Sequence, residues 1–129
     1  MNDTALLDSS AWMENFSGTK AGIHVENMLK QKRCFTTMVT LAELADKFSR
    51  ENIPFQKYHE YIKSKSAILP LTEEIAVTSG TLKKKLRETA PDTSLIDAIN
   101  LATAQKHNAQ LITCDTDFTG ARNTLVIKK

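Results

Sequence analysis

The stretch SLIDAINLATAQKHNAQLITCDTDF, Ser94 to Phe118, decides the fold. Its first half carries Leu95, Ile96, Ala98, Ile99, Leu101 and Ala102. These leave a helix from Ser94 to about His107 apolar nearly all round, which predicts a buried segment. Its second half, Gln110 to Cys114, is a short apolar run of the kind that forms a buried strand. A buried helix feeding a buried strand is the repeating unit of a parallel sheet. Each half also holds an acid in an unexpected place: Asp97 inside the helix, and Asp115 just past the strand with Asp117 close behind.

The same alternation continues outward. Thr4 to Leu7 reads as a strand ending in Asp8, and Ser9 and Ser10 offer N-caps to a helix through Ala11, Trp12, Met13 and Phe16. A break over Gly18–Gly22 precedes a helix carrying Ile23, Val25, Met28 and Leu29. Cys34 to Thr37 is β-prone, with Val39 extending the apolar run, and Thr40 opens a helix bearing Leu41, Leu44, Ala45 and Phe48. Pro54 fits the start of a helix with the stripe Phe55, Tyr58, Tyr61 and Ile62. Ala67 to Leu71 is a strand that Pro70 places at a sheet edge. A long helix begins at Thr72-Glu73-Glu74 and passes through Gly80 to Leu86, Ala90-Pro91-Asp92 is a turn, and Leu125 to Ile127 is a fifth strand. The expected fold is α/β: one domain over residues 1–129, with a parallel sheet of four to five strands and helices on both faces.

Composition agrees. With 129 residues, 41% hydrophobic and 25% charged, the chain can bury a core of its own. No apolar run approaches the ~20 residues of a membrane span. The opening MNDTALLDSS puts an acid where a leader needs a basic region, so a cytosolic protein is expected. Cys34 and Cys114 lack zinc-ligand spacing and read as reduced core thiols, and His24, His59 and His107 read as surface groups on separate helices. A net charge of +2 points only weakly to nucleic acid.

Asp8, Glu43, Asp97 and Asp115 each follow an apolar run at the passage into a turn or helix. Parallel strands would deliver them to one edge, where ligands of open α/β sheets bind. Two carboxylates about 4 Å apart repel by on the order of 4 kcal/mol at an effective dielectric near 20. Such a gathering calls for a cation, and oxygen-only ligands select Mg²⁺ or Mn²⁺. Each acid also has a local alternative. Asp8 suits an N-cap or turn, and Asp115 with Asp117 suits a turn. Thr40-x-x-Glu43 and Ser94-x-x-Asp97 both match a capping box. The remaining acids lack the placement: Glu73 and Glu74 start a helix and complement its dipole, Glu14, Glu26, Glu51, Glu60 and Glu88 look solvated, Asp46 could face the site but better suits the surface, and Asp3 and Asp92 look like turn residues.

The segments LLDSSAW, TLAELADK, SLIDAINLATA and LITCDTDF, in this order, resemble the PIN-domain nucleases over essentially the whole chain. In size the chain is most similar to the VapC-type toxins of VapBC toxin–antitoxin pairs. The resemblance implies an acidic site of Asp8, Glu43, Asp97 and Asp115 with Asp117 as a fifth acid, a hydroxyl beside it at Thr113, and a small polar pair at Ser9 and Ser10. It implies a Mg²⁺- or Mn²⁺-dependent endoribonuclease, blocked by a protein antitoxin and forming homodimers. Asp8, Asp97 and Asp115 are then the expected metal ligands, and Glu43 orients the attacking water or holds a second ion. Ser9, Thr113 and Arg122 are the expected substrate contacts, Arg122 being the cation nearest the Asp115 turn in sequence. Lys83, Lys84, Lys85 and Arg87 are a denser cluster that also reads as a solvated helix face, and Lys30, Lys32, Arg33, Lys128 and Lys129 carry no specific signal. The aromatic stripe serves either core packing or a dimer or partner groove. Two other functions fit the residues: a housekeeping PIN nuclease that processes RNA, and a non-enzymatic PIN-like module with a structural Mg²⁺ site.

Overall fold

The computed structural model describes residues 3–129; Met1 and Asn2, the start of the stretch read as unlike a leader, lie outside the described residues. The elements are β1 (Thr4–Leu7), α1 (Ser9–Ser17), α2 (Lys20–Gln31), β2 (Arg33–Thr37), α3 (Met38–Arg50), α4 (Gln56–Lys65), β3 (Ala67–Leu69), α5 (Glu73–Leu86), α6 (Leu95–Lys106), β4 (Gln110–Thr113), a 3-10 turn (Thr116–Phe118) and β5 (Thr124–Val126). The strands form one sheet in the order β3-β2-β1-β4-β5, and every pairing is parallel. β3, with Pro70 just beyond it, is an edge strand as expected.

Side chains alternate across a strand, and β1 splits its residues accordingly. Ala5 and Leu7 join Trp12, Val25, Leu44 and Ile62 in the core under α1 to α4, while Leu6 joins Phe35, Leu101 and Leu111 in the core under α5 and α6. Helices therefore cover both faces of the sheet. Among the described residues no helix is long and apolar enough to cross a membrane. Both cysteines are buried and free. Burial pushes each thiol up to about 11, so both remain protonated core groups at neutral pH.

Several boundaries differ from expectation. The left-handed Gly18 (φ 64°) ends α1, but Gly22 lies inside α2 rather than in the break. α2 is capped by Thr19 and buries Ala21, Gly22 and Val25, which turns Ile23 outward at 60% exposure. Gly22 is needed because α1 passes so close that an added Cβ would stand 2.0 Å from the Glu14 carbonyl oxygen. That oxygen belongs to the backbone and cannot swing aside. Gly22→Ala is therefore expected to cost at least ~1–3 kcal/mol, read as a lowered melting temperature; an unchanged melt would disprove the close crossing. Val39 lies in α3 instead of extending β2, and the α3 cap is Thr37, whose hydroxyl accepts the Thr40 amide at 3.1 Å.

The aromatic stripe packs inward. Phe48 lies 5.0 Å from Phe55 and 4.8 Å from Tyr58, and Phe16 lies 4.9 Å from Tyr58, ring centre to ring centre. Ile62 is fully buried, while Phe16, Tyr58 and Tyr61 still border an open recess of about 360 Å³.

Candidate active site

From β1 the chain builds outward to β2 and β3, then crosses back to add β4 and β5 on the other side. β1 and β4 therefore flank the point where strand order reverses, the usual place for a ligand. Asp8 follows the end of β1 and Asp115 lies just beyond β4. Asp8, not Ser9 or Ser10, caps α1: its Oδ1 accepts the Ala11 amide at 3.0 Å and the Ser10 hydroxyl at 2.7 Å. Ser10 Oγ also accepts the Cys114 amide at 2.9 Å and lies 3.2 Å from Thr113 Oγ1, which accepts the Asp115 amide at 3.0 Å. The two hydroxyls thus lace the two strand ends together.

Asp8 is only 5% exposed. Burial pushes its carboxyl from 3.8 up to about 6, against hydrogen bonds from Thr113, Ser10 and the Ala11 amide; the charge of Asp97 adds the smallest push. The site is costly mainly because one carboxylate is dehydrated. This corrects the expectation that mutual repulsion sets the cost.

Asp97 does form a capping box with Ser94. The Ser94 amide donates to Oδ2 at 3.0 Å, and the Asp97 amide donates to Ser94 Oγ at 3.1 Å. The helix is continuously buried only from Ala98 to Ala104, Leu95 is 48% exposed and Asp97 is half-buried, so the segment is less enclosed than its composition predicts. Among the described residues Oδ1 of Asp97 accepts no hydrogen bond, and its charge reaches both Asp8 and Asp117.

Glu43 makes no capping box, because the Thr40 amide is already taken by Thr37. It faces a recess of about 440 Å³ together with Ser9 and Ser10. Its helix is held against α6 by a buried polar cluster that the sequence reading missed. Thr37 Oγ1 donates to Asn100 Oδ1 at 2.7 Å, and Asn100 Nδ2 donates to Thr40 Oγ1 at 3.1 Å. Thr40 lies one turn before Glu43 and Asn100 one turn after Asp97, so the cluster fixes the spacing of these two acids.

Asp115 caps the 3-10 turn by accepting the Asp117 amide at 2.9 Å. Asp117 is fully exposed, and its carboxyl is raised chiefly by the charge of Asp115, with lesser contributions from dehydration, Asp92 and Asp97. Asp92, read as a turn residue, thus belongs to the same acidic edge.

The PIN domain profile matches residues 5–123. The chain belongs to the PIN-domain family. A sequence comparison with curated proteins gives no match. Among solved structures, a toxin–antitoxin complex from Klebsiella pneumoniae is similar at 25% identity and TM-score 0.77, covering 97% of this chain and 98% of that one. VapBC2 from Rickettsia felis, bound to a promoter DNA fragment, is similar at 18% identity and TM-score 0.73, covering 95% and 96%. The Mycobacterium tuberculosis toxin VapC20, which cleaves the sarcin–ricin loop, is similar at 17% identity and TM-score 0.69, covering 92% and 95%. At those two identities the likeness shows the fold alone.

In this PIN domain no three carboxylates, histidines or cysteines among the described residues stand close enough to cage a metal ion. The donors still fit Mg²⁺ or Mn²⁺. They are all hard oxygens, and Mg²⁺ keeps several waters while binding one or two carboxylates together with substrate phosphate. Asp8, Asp97 and Asp115 are the residues that would hold it, directly or through water.

Of the expected substrate contacts, Ser9 and Thr113 lie at this edge, but Arg122 does not. It lines a separate cavity of about 570 Å³ with Lys85, Asn108 and Asn123, at the amino ends of β4 and β5. Three other groups at the acidic edge carried no sequence signal. Glu14, read as solvated, has a side chain 17% exposed that accepts the Thr19 hydroxyl at 2.8 Å and borders the Glu43 recess. Lys128 and Lys129 border a recess of about 610 Å³ with Ser10 and Asp115.

Proposed function

We propose that this PIN domain is a Mg²⁺- or Mn²⁺-dependent endoribonuclease acting as the toxin of a type II toxin–antitoxin pair in the cytoplasm. The observation that carries the proposal is the set Asp8, Asp97, Asp115 and Asp117 at the carboxyl edge, with the buried Asp8 carboxyl held near 6 and Glu43 facing the adjoining recess. A bound divalent cation supplies positive charge for the phosphoryl oxygens and lowers the pKa of a bound water. Asp8 is fixed in direction by the Ala11 amide and Ser10 hydroxyl, so it offers its charge without rearrangement. Asp97 keeps one oxygen for its helix and one for the site, and Glu43 orients the attacking water. The similar solved structures include toxin–antitoxin complexes, which supports an antitoxin partner for this chain. The half-covered recess at Phe16, Tyr58 and Tyr61 suits an apolar segment of that partner, and homodimerisation belongs to the same proposal.

Purified protein is expected to cleave single-stranded RNA in Mg²⁺ or Mn²⁺ and to stop in EDTA. Undiminished cleavage in chelator would remove the metal from the proposal. Glu43→Gln should lower the cleavage rate at least roughly a hundredfold. Because Glu43 caps nothing, its melting temperature should stay at the wild-type value. A Gln variant that cleaves normally would reduce the site to its aspartates.

The caps made by Asp8 and Asp97 also favour a second reading, a PIN-like module whose acids serve structure. It predicts no metal-dependent cleavage by the wild-type protein.

A further inference from the structure

We propose that the open trough running from Asp115 past Ser10 to Glu43 is the track for a single-stranded RNA backbone, with Lys128 and Lys129 as its phosphate clamp. The inference rests on the nuclease reading and adds the residues that hold the substrate. The recess of about 610 Å³ beside Asp115 and the recess of about 440 Å³ beside Glu43 share Ser10 and Lys129, so they join into one channel. They meet at Ser10, the residue whose hydroxyl donates to Asp8.

Acids along this channel would repel a polyanion unless cations line it too. The segment after β5 supplies them. Ile127 is buried and its amide donates to the Thr113 carbonyl at 2.8 Å, which carries the chain past the strand and leaves Lys128 and Lys129 at the acidic edge. Lys129 pairs only loosely, with its Nζ 3.8 Å from Glu14 and its side chain 64% exposed. Lys47, farther along the channel, holds Glu51 at 3.2 Å in an exposed pair. Pairs of this kind contribute little, so exchanging the partner for a phosphate is easy. Lys85, from the basic cluster of α5, instead lines the separate cavity at the amino ends of β4 and β5.

Lysines present compact charges suited to phosphates, and phosphate contacts position a strand without reading it. Among the described residues no aromatic side chain lines either recess, and the guanidinium there, Arg50, donates to Asp46 at 3.0 Å, so no aromatic ring there stacks on a base. The clamp should therefore be indifferent to sequence, and cleavage specificity must arise elsewhere.

The test uses the full chain in an Asp97→Asn background, which is expected to slow turnover, in EDTA, with labelled single-stranded RNAs of unrelated sequence across a salt series. Lys128→Ala with Lys129→Ala is expected to flatten the slope of log K against log salt by about 0.7 per lysine. It should weaken every RNA alike, and Lys128→Arg with Lys129→Arg should restore the slope. Lys84→Ala with Lys85→Ala removes the same charge from α5 and should leave the slope at its parent value. In the active background, the Lys128 and Lys129 pair should raise KM more than it lowers kcat. An unchanged slope for that pair, or a loss confined to the α5 pair, overturns the clamp. If the wild-type protein cleaves RNA while the slope stays unchanged, only the clamp fails. If it neither binds nor cleaves RNA, the nuclease reading fails and the clamp with it.

Discussion

Asp8→Asn is expected to stabilise the metal-free protein at neutral pH while reducing RNA cleavage by roughly 10²–10⁴-fold. The cap survives, because Asn serves at an N-cap as well as Asp and its carbonyl can accept the Ala11 amide and the Ser10 hydroxyl. What disappears is the dehydrated charge. A carboxyl held at about 6 when folded and 3.8 when unfolded binds its proton more tightly in the folded state. Its contribution to stability is therefore fully present below about 3.8 and is lost as pH rises through about 6. At pH 7 the wild-type protein carries a penalty on the order of 3 kcal/mol, which exceeds the ~1 kcal/mol that the α1 dipole gives back to a charged cap. Metal-free wild type should accordingly gain melting temperature between pH 7 and pH 4, whereas Asp8→Asn should show less of that gain. The two melts should converge near pH 4. A variant that melts lower than wild type at pH 7 and still cleaves RNA would make Asp8 a structural cap and nothing more.

The central strands β1 and β4 were readable because each is a short, mostly apolar run, and a sheet covered on both faces leaves no polar face to blur the pattern. Helix starts were less readable. Thr37 and Thr40 both stand three residues before a plausible partner, and spacing alone cannot tell which one keeps extended backbone; the structure gives that role to Thr37, at ψ 155°. The same ambiguity left Asp8, Ser9 and Ser10 all as candidates to cap α1, and the structure gives that role to Asp8. Gly22 misled because a glycine that breaks a helix and a glycine that lets two helices touch look alike in sequence.

Placement at the site followed a similar rule. Acids directly after a strand were legible, since parallel strands share one carboxyl edge. Residues in returning connections were not. After Asp115 the chain passes through the 3-10 turn and back to the start of β5, which takes Arg122 to the opposite edge although it is close in sequence. β5 then runs forward again and brings Lys128 and Lys129 to the acids. Asn100 was invisible for another reason. In an apolar helix a lone amide gives no periodic signal, and its use depends on Thr37 and Thr40 arriving from a different helix.

Asp97 offers the sharpest separation of structure from chemistry, because its two oxygens have different tasks. Oδ2 receives the Ser94 amide at 3.0 Å and belongs to the helix, while the charge of the group is felt by Asp8 and Asp117 and belongs to the site. Asp97→Asn retains a carbonyl for the Ser94 amide and removes the charge. Asp97→Ala removes both. Asn should therefore melt within about 1 kcal/mol of wild type, the scale of a modest change in a capping box. Ala should fall a further ~0.5–2 kcal/mol, the range for deleting a cap. Both should lose at least roughly a hundredfold in cleavage rate, because a hard cation needs the charge and not the shape. If Asp97 served only the helix, Asn would cleave like wild type, and Ala would lose activity only in proportion to the fraction unfolded. Rates measured well below each variant's melting temperature distinguish these outcomes, and an Asn variant with wild-type cleavage would take Asp97 out of the active site.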